Sequence, residues 1–258
     1  MERMMKTRAY WAFGLLPLAL AAGEAGAVAT GVGDDGARKG TAAEQRVEVR
    51  TAMKDLLKAG LKREMRISGG VIRTSTRTKP ACGTVQITAK PISSRPVSAA
   101  SLPGRAAQAA PYEMVVFETL PNGTQRPIDV QTWSDYYSAR HGYLGTRTHR
   151  GLCMAQEEHD FPISAKAGDH GTLSATNCYT DCTGKTVVGT QEISYVVRTD
   201  PSGGLIFELK RAITDRISGM RTTLDCDYGI TPHRKAQLIG VRASYHAHHD
   251  PGYSISAQ

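Results

Sequence analysis

Near the carboxyl end, three histidines and an aspartate fall within the segment HAHHD, residues 246–250. Because side chains alternate along a strand, His246 and His248 point to the same side and could supply half of a zinc or copper site. The other ligands would have to come from distant parts of the chain. The alternative is a polar strand end that runs into a poorly ordered tail. We favour the tail, so we expect no resident cofactor, with zinc or copper at His246 and His248 as the alternative.

A second candidate site is the segment 132–150, in which aromatic rings are interleaved with cations. Such a mixture suits stacking on sugars or bases together with contacts to phosphate. The alternative is that the rings are core residues. The candidate ligand-binding residues are Trp133, Tyr136, Tyr137, Arg140, His141 and Tyr143.

Five cysteines lie beyond the first quarter of the chain: Cys82, Cys153, Cys178, Cys182 and Cys226. A hairpin centred between residues 165 and 166 would place Cys153 opposite Cys178, whereas Cys178 and Cys182 could also close on each other. We predict a Cys82–Cys226 disulfide plus one bridge among the other three. A catalytic cysteine would need a histidine within reach and a lowered thiol pKa, which sequence spacing does not reveal.

The amino-terminal segment resembles a secretory signal in its layout. Arg3, Lys6 and Arg8 precede an apolar stretch from Ala9 to Ala22, and small residues follow it. The stretch is shorter than the roughly 20 residues of a spanning helix, and no later stretch reaches that length. We therefore assign residues 1–27 to a cleaved signal and expect no transmembrane segment in the mature chain.

Composition and charge agree with an exported basic protein. Residues 1–27 contain three basic and two acidic side chains, so their removal lowers the formal charge from +8 to +7. Disulfides persist in extracytoplasmic compartments, where the product would be periplasmic or secreted. Its positive charge favours anionic envelope lipid or polysaccharide as a partner, with another envelope protein as the alternative.

Hydrophobic periodicity divides the rest of the chain. Residues 28–42 are small, polar and glycine-rich, which is typical of a flexible leader. Residues 43–66 have apolar side chains at helical spacing, so an amphipathic helix should cover a face or an open end of a β-structure. Residues 84–92 alternate as in a strand, Pro121-Asn122-Gly123 indicates a hairpin, and residues 93–111 form a long loop or a subdomain boundary.

The last third consists of four strand-like segments separated by turn residues. If they form a meander, Tyr195, Leu209, Cys226 and Ile239 lie side by side on one face. All four are apolar or weakly polar, as a correct register requires. Residues 43–258 are therefore predicted to be one mainly-β domain, a sandwich or barrel of roughly eight to ten antiparallel strands with one amino-terminal amphipathic helix.

Catalytic motifs do not stand out. The chain contains no G-x-S-x-G, S-x-x-K, H-E-x-x-H or C-x-x-C sequence. The most consistent function is a non-catalytic exported β-domain that binds or supports an envelope component. The alternatives are a metal-binding protein that uses the histidine cluster and an extracytoplasmic hydrolase whose site includes His141 or Cys153.

The signal assignment can be tested on exported material. We expect processing after Ala27 or Ala29, because small residues stand at these positions behind the apolar stretch. Amino-terminal sequencing of the purified exported protein should begin at Val28 or Thr30. A chain that still began at Met1 would contradict the assignment.

Overall fold

A computed structural model describes residues 46–258 except 74–77, 98–101, 103–104, 150, 181–185, 201–203, 232–234 and 247–251. The described residues form one helix, α1, and thirteen antiparallel strands in one sheet that closes into a ring. From β3 to β13, each strand pairs with the next one along the chain. The all-β prediction is confirmed, whereas the strand count exceeds the eight to ten expected.

The elements follow the chain in a simple order. The helix is α1 (Val49–Ala59), and the strands are β1 (Leu61–Arg73), β2 (Thr78–Pro80), β3 (Gly83–Ala89), β4 (Gln108–Thr119), β5 (Gln125–Tyr137), β6 (Tyr143–Thr148), β7 (Gly151–His159), β8 (His170–Tyr179), β9 (Val187–Thr199), β10 (Leu205–Asp215), β11 (Arg221–Ile230), β12 (Ala236–His246) and β13 (Gly252–Ala257).

The last strand closes the sheet. Strand β13 pairs with β12 on one side and with β1 on the other, and Gln258 exchanges two backbone hydrogen bonds with Arg66. The expectation of a frayed tail after the histidine cluster is therefore wrong. The residues of β13 alternate between the two faces of the sheet, and Tyr253, Ile255 and Ala257 are buried in the core. Burial of these side chains explains why the chain end is ordered.

The predicted amphipathic helix is present but shorter than residues 43–66. It ends at Ala59, and Gly60 follows with a φ of 72°, which glycine adopts readily. Residues from Leu61 onward belong to β1. The apolar face of α1 packs into one open end of the ring, which we call the α1 end, where Met53 and Leu57 are buried. Arg50 helps to hold the helix there through an ion pair with Asp160 at 3.2 Å.

The meander of the last third has nearly the predicted register. Leu209 pairs with Tyr195 and with Cys226, as expected. Cys226, however, pairs with Val241 and not with Ile239. A bulge beside Asp227 inserts an extra residue in β12 and shifts the remaining pairs, which alternation alone does not reveal.

Other local predictions are also confirmed. Residues 121–123 form the turn of the β4–β5 hairpin, and Thr119 pairs with Gln125. Strand β3 alternates between buried and half-buried side chains. The long loop after β3 ends earlier than residue 111, because β4 begins at Gln108. Its residue Leu102 is buried against Tyr136 in a small second core cluster.

An ionic network crosses the outer face of β9–β12. Glu208 and Asp227 are buried carboxylates, and each forms ion pairs with Arg198 and Arg242. These pairs tie four strands together from outside the ring. Among the described residues, no helix is long and apolar enough to cross a membrane.

Closure by β13 predicts a specific loss of stability. Ile255 is 2% exposed, so Ile255→Ala should lower the free energy of unfolding by about 2–5 kcal/mol. Ser254 is its exposed neighbour on the opposite face, and Ser254→Ala should change stability by less than about 0.5 kcal/mol. Urea unfolding of both variants measures the difference. Equal effects would contradict a closing role for β13.

Candidate ligand-binding cavity

A large cavity lies inside the ring, at the end opposite α1, which we call the distal end. Its volume is about 340 Å³, within the range of small-molecule sites, roughly 300–1,000 Å³. Exposed residues Val130 and His149 are part of its wall, so it reaches the surface. At about 30 Å³ per water molecule, its volume corresponds to roughly eleven waters.

The cavity wall is mainly apolar and aromatic. Strands β5 and β9–β13 supply most of it, and the Cys153–Cys178 disulfide, Thr148, His149 and Gly151 also contribute. Tyr245 and Tyr253 stack on each other, with centroids 6.2 Å apart. The other large apolar lining side chains are Ile128, Trp133, Ile213, Met220 and Leu224. Such a wall favours an apolar ligand over a free ion.

A buried ion pair forms the inner end of this cavity. Arg211 and Trp133 belong to its wall and also to that of a second cavity, of about 50 Å³, under α1. Arg211 Nη2 donates a hydrogen bond of 2.7 Å to Asp135 Oδ2, and the Asp135 side chain is 3% exposed. Charged side chains buried this deeply require a partner, and Arg211 and Asp135 are partners of each other.

A chain of hydrogen bonds continues from Asp135. Thr146 Oγ1 donates to Asp135 Oδ1 at 2.5 Å, Tyr143 Oη lies 2.6 Å from Thr146 Oγ1, and the atom placed as Gln191 Oε1 lies 2.7 Å from Tyr143 Oη. Each hydroxyl carries one proton. If Thr146 donates to Asp135, Tyr143 donates to Thr146 and must accept from Gln191. This proton count favours the amide orientation with Nε2 towards Tyr143, which also pairs a nitrogen that otherwise lacks a partner.

The ionisation states of the interior follow from this arrangement. Burial lowers the pKa of the Arg211 guanidinium, but the charge of Asp135 outweighs it and holds that pKa above its ordinary value. Burial raises the pKa of the Tyr137 and Tyr143 phenols. The interior therefore holds a charged arginine and neutral tyrosines at neutral pH.

Trp133 is held in place from two directions. Its ring stacks on Tyr112 of the neighbouring strand, with centroids 5.2 Å apart and planes at 1°. The Arg211 guanidinium carbon lies 5.8 Å from the Trp133 ring centroid, which is a cation–π distance. The Trp133 indole is thus fixed at the junction of the two cavities.

The aromatic segment predicted to bind a ligand is divided between the faces of the sheet. Trp133, Tyr137 and Tyr143 pack with the main core inside the ring, while Tyr136 packs in the outer cluster with Leu102. Arg140 and His141 lie in the β5–β6 turn at the α1 end, where Arg140 pairs with Glu158 at 3.3 Å. Of the six predicted residues, the structure places Trp133 alone in the wall of the large cavity.

One of the two predicted disulfides is present. Cys153 and Cys178 lie opposite each other and form a disulfide, as the predicted hairpin allowed. The predicted Cys82–Cys226 bridge is wrong, because both are free thiols. Cys226 faces the interior under α1, whereas Cys82 lies on the exposed segment between β2 and β3. Cys182 lies outside the described residues.

The histidine cluster is only partly described. His246 ends β12 at the distal end and is exposed, whereas His248 and His249 lie outside the described residues. Within the described part of the chain, no three His, Cys, Asp or Glu side chains come together as metal ligands. For the hydrolase alternative, Cys153 is a disulfide cysteine in the cavity wall, and His141 lies in a turn at the α1 end.

Sequence reasoning missed Arg211 and Asp135 as site residues. A signal was present, since Arg211 interrupts the apolar face of the alternating strand β10. Comparison with known proteins adds no functional information, because no family, curated protein or solved structure matches the chain.

The cysteine environments predict an order of chemical labelling. Burial raises the pKa of the Cys226 thiol to about 12, so this thiol is neutral and enclosed at pH 8. Iodoacetamide should label Cys82 in the folded protein, Cys226 only after unfolding, and Cys153 and Cys178 only after reduction. Peptide mapping by mass spectrometry reads each site. Rapid labelling of Cys226 in the folded protein would contradict this interior position.

Proposed function

We propose that this chain is an exported, non-catalytic binding protein that holds a small apolar molecule of the cell envelope inside its ring. The cavity of about 340 Å³ is the observation that carries the proposal. Its size and its apolar, aromatic wall are those of a ligand pocket. The signal-like residues 1–27 and the Cys153–Cys178 disulfide support export.

The chemical groups inside the closed sheet support a binding function rather than a catalytic one. Arg211 of the cavity wall is paired with the buried Asp135 behind it, so the two charges neutralise each other. The free thiol Cys226 lies in the smaller cavity with a raised pKa, which opposes nucleophilic chemistry. A binding role asks only for a shaped space with a few polar groups, and the cavity supplies this.

The proposal can be tested with N-phenyl-1-naphthylamine, a neutral fluorescent probe. The chain has two tryptophans, and because Trp11 lies in the predicted signal, the mature protein beginning at Val28 has Trp133 as its only one. We expect the probe to brighten on binding and to receive energy from Trp133 in the cavity wall. A probe that neither brightens nor accepts this energy would contradict the proposal.

A matched pair of variants locates the probe. Thr222 lines the cavity, and Thr222→Phe should weaken probe binding at least tenfold, about 1.4 kcal/mol, by filling space. Ala212 alternates with the inward-facing Arg211 and Ile213 on β10, so Ala212→Phe lies on the outer face and should bind as the parent does. Equal affinities in the two variants would place the probe elsewhere.

A further inference from the structure

Arg211 is the cation of the ring interior. It is the one lysine or arginine among the described residues that line the large cavity, and it also lines the two smaller cavities. Its side chain is 13% exposed, whereas that of its partner Asp135 is 3% exposed. A molecule in the cavity therefore meets the guanidinium and not the carboxylate.

The guanidinium has donors to offer. It carries five N–H groups, and Nη2 donates to Asp135. Asp135 is held on its other oxygen by Thr146, so the carboxylate is engaged away from the ligand. Trp133 packs against the guanidinium and fixes its plane. A pre-positioned arginine of this kind recognises carbonyl and carboxylate oxygens.

The acidic groups of the wall are engaged in other contacts. Asp129 Oδ2 accepts hydrogen bonds from Tyr253 Oη at 2.7 Å and from Gln131 Nε2 at 2.8 Å. Asp215 Oδ1 accepts from the backbone of the distal turn, at Ile217 and Ser218. These carboxylates are acceptors already supplied with donors, and Arg211 offers N–H donors at the inner end.

We propose that the cavity ligand is an apolar molecule with a carbonyl or carboxylate oxygen that accepts hydrogen bonds from Arg211. This inference rests on the proposed function, since it assumes that the cavity is a binding site. The polar end of the ligand lies at the inner end, between Trp133 and Leu224. Its apolar part lies along the aromatic wall towards the distal end.

Three ligands of nearly equal size test the proposal. Isothermal titration calorimetry of the full chain compares n-butylbenzene, which has no acceptor, with butyrophenone and 4-phenylbutanoate. We expect at least one acceptor ligand to bind about tenfold or more tightly than n-butylbenzene, as a hydrogen bond to a charged group requires. Preference for 4-phenylbutanoate supports a carboxylate ligand, and equal affinity for the two acceptors supports a carbonyl ligand.

A double variant removes the donor without leaving a buried charge alone. Arg211→Met combined with Asp135→Asn should abolish the preference for acceptors, so that the three ligands bind this variant with affinities within about threefold of one another. Arg216→Met is the control, because Arg216 is an exposed arginine of the distal turn, and it should keep the preference.

The outcomes separate the two proposals. Binding of all three ligands with equal affinity to the unmodified chain overturns the role of Arg211 and leaves the binding cavity in place. If the double variant still prefers the acceptor ligands, the proposed role of Arg211 is overturned as well. Failure of all three ligands to bind contradicts the proposed function itself. The comparison on the unmodified chain remains decisive if the double variant does not fold.

Discussion

The pairing of β13 with β1 is the constraint on which the rest of the structure depends. In a meander each strand finds its neighbour locally, but closure joins residues from opposite ends of the sequence. The two backbones approach so closely at Gly70 that a Cβ atom there would lie 2.1 Å from Ser254 O. Because closure gives β13 partners on both sides, it removes an open edge and creates an enclosed interior.

That interior is used differently at its two ends. At the α1 end, Met53 and Leu57 enter the ring and leave only a cavity of about 50 Å³. At the distal end no helix enters, among the described elements, and the cavity of about 340 Å³ remains. The ion pair of Arg211 and Asp135 stands between them. Replacing such a pair by apolar residues often costs nothing in stability, so stability alone does not account for its position.

Much of the fold could be predicted because its contacts are local. Turn residues fix the centre of each hairpin, and the centre fixes the register, which is why Leu209 opposite Cys226 and Cys153 opposite Cys178 are correct. Errors arose where one residue changes the geometry. The β11–β12 turn and the bulge beside Asp227 each move the partner of Cys226 by one residue, from Ile239 to Val241, and Gly60 ends a helix whose apolar spacing continues into β1. Closure by β13 depends on contacts between distant residues, which no local pattern encodes.

The candidate site was less predictable, because sequence does not show which face of a closed sheet a residue occupies. Trp133 and Tyr136 stand three residues apart in one strand and therefore lie on opposite faces. The aromatic composition of the segment alone would assign both side chains to one site. The alternation of side chains along a strand is more informative than the enrichment of a segment in aromatic residues. Arg211 stands on the same face of β10 as Leu205, Phe207 and Leu209. A charged side chain on such an apolar face needs a buried partner. The same reasoning applied to β5 places Asp129 and Asp135 on the face of Trp133 and Tyr137, so alternation limits the partner of Arg211 on this strand to two carboxylates, and packing selects Asp135.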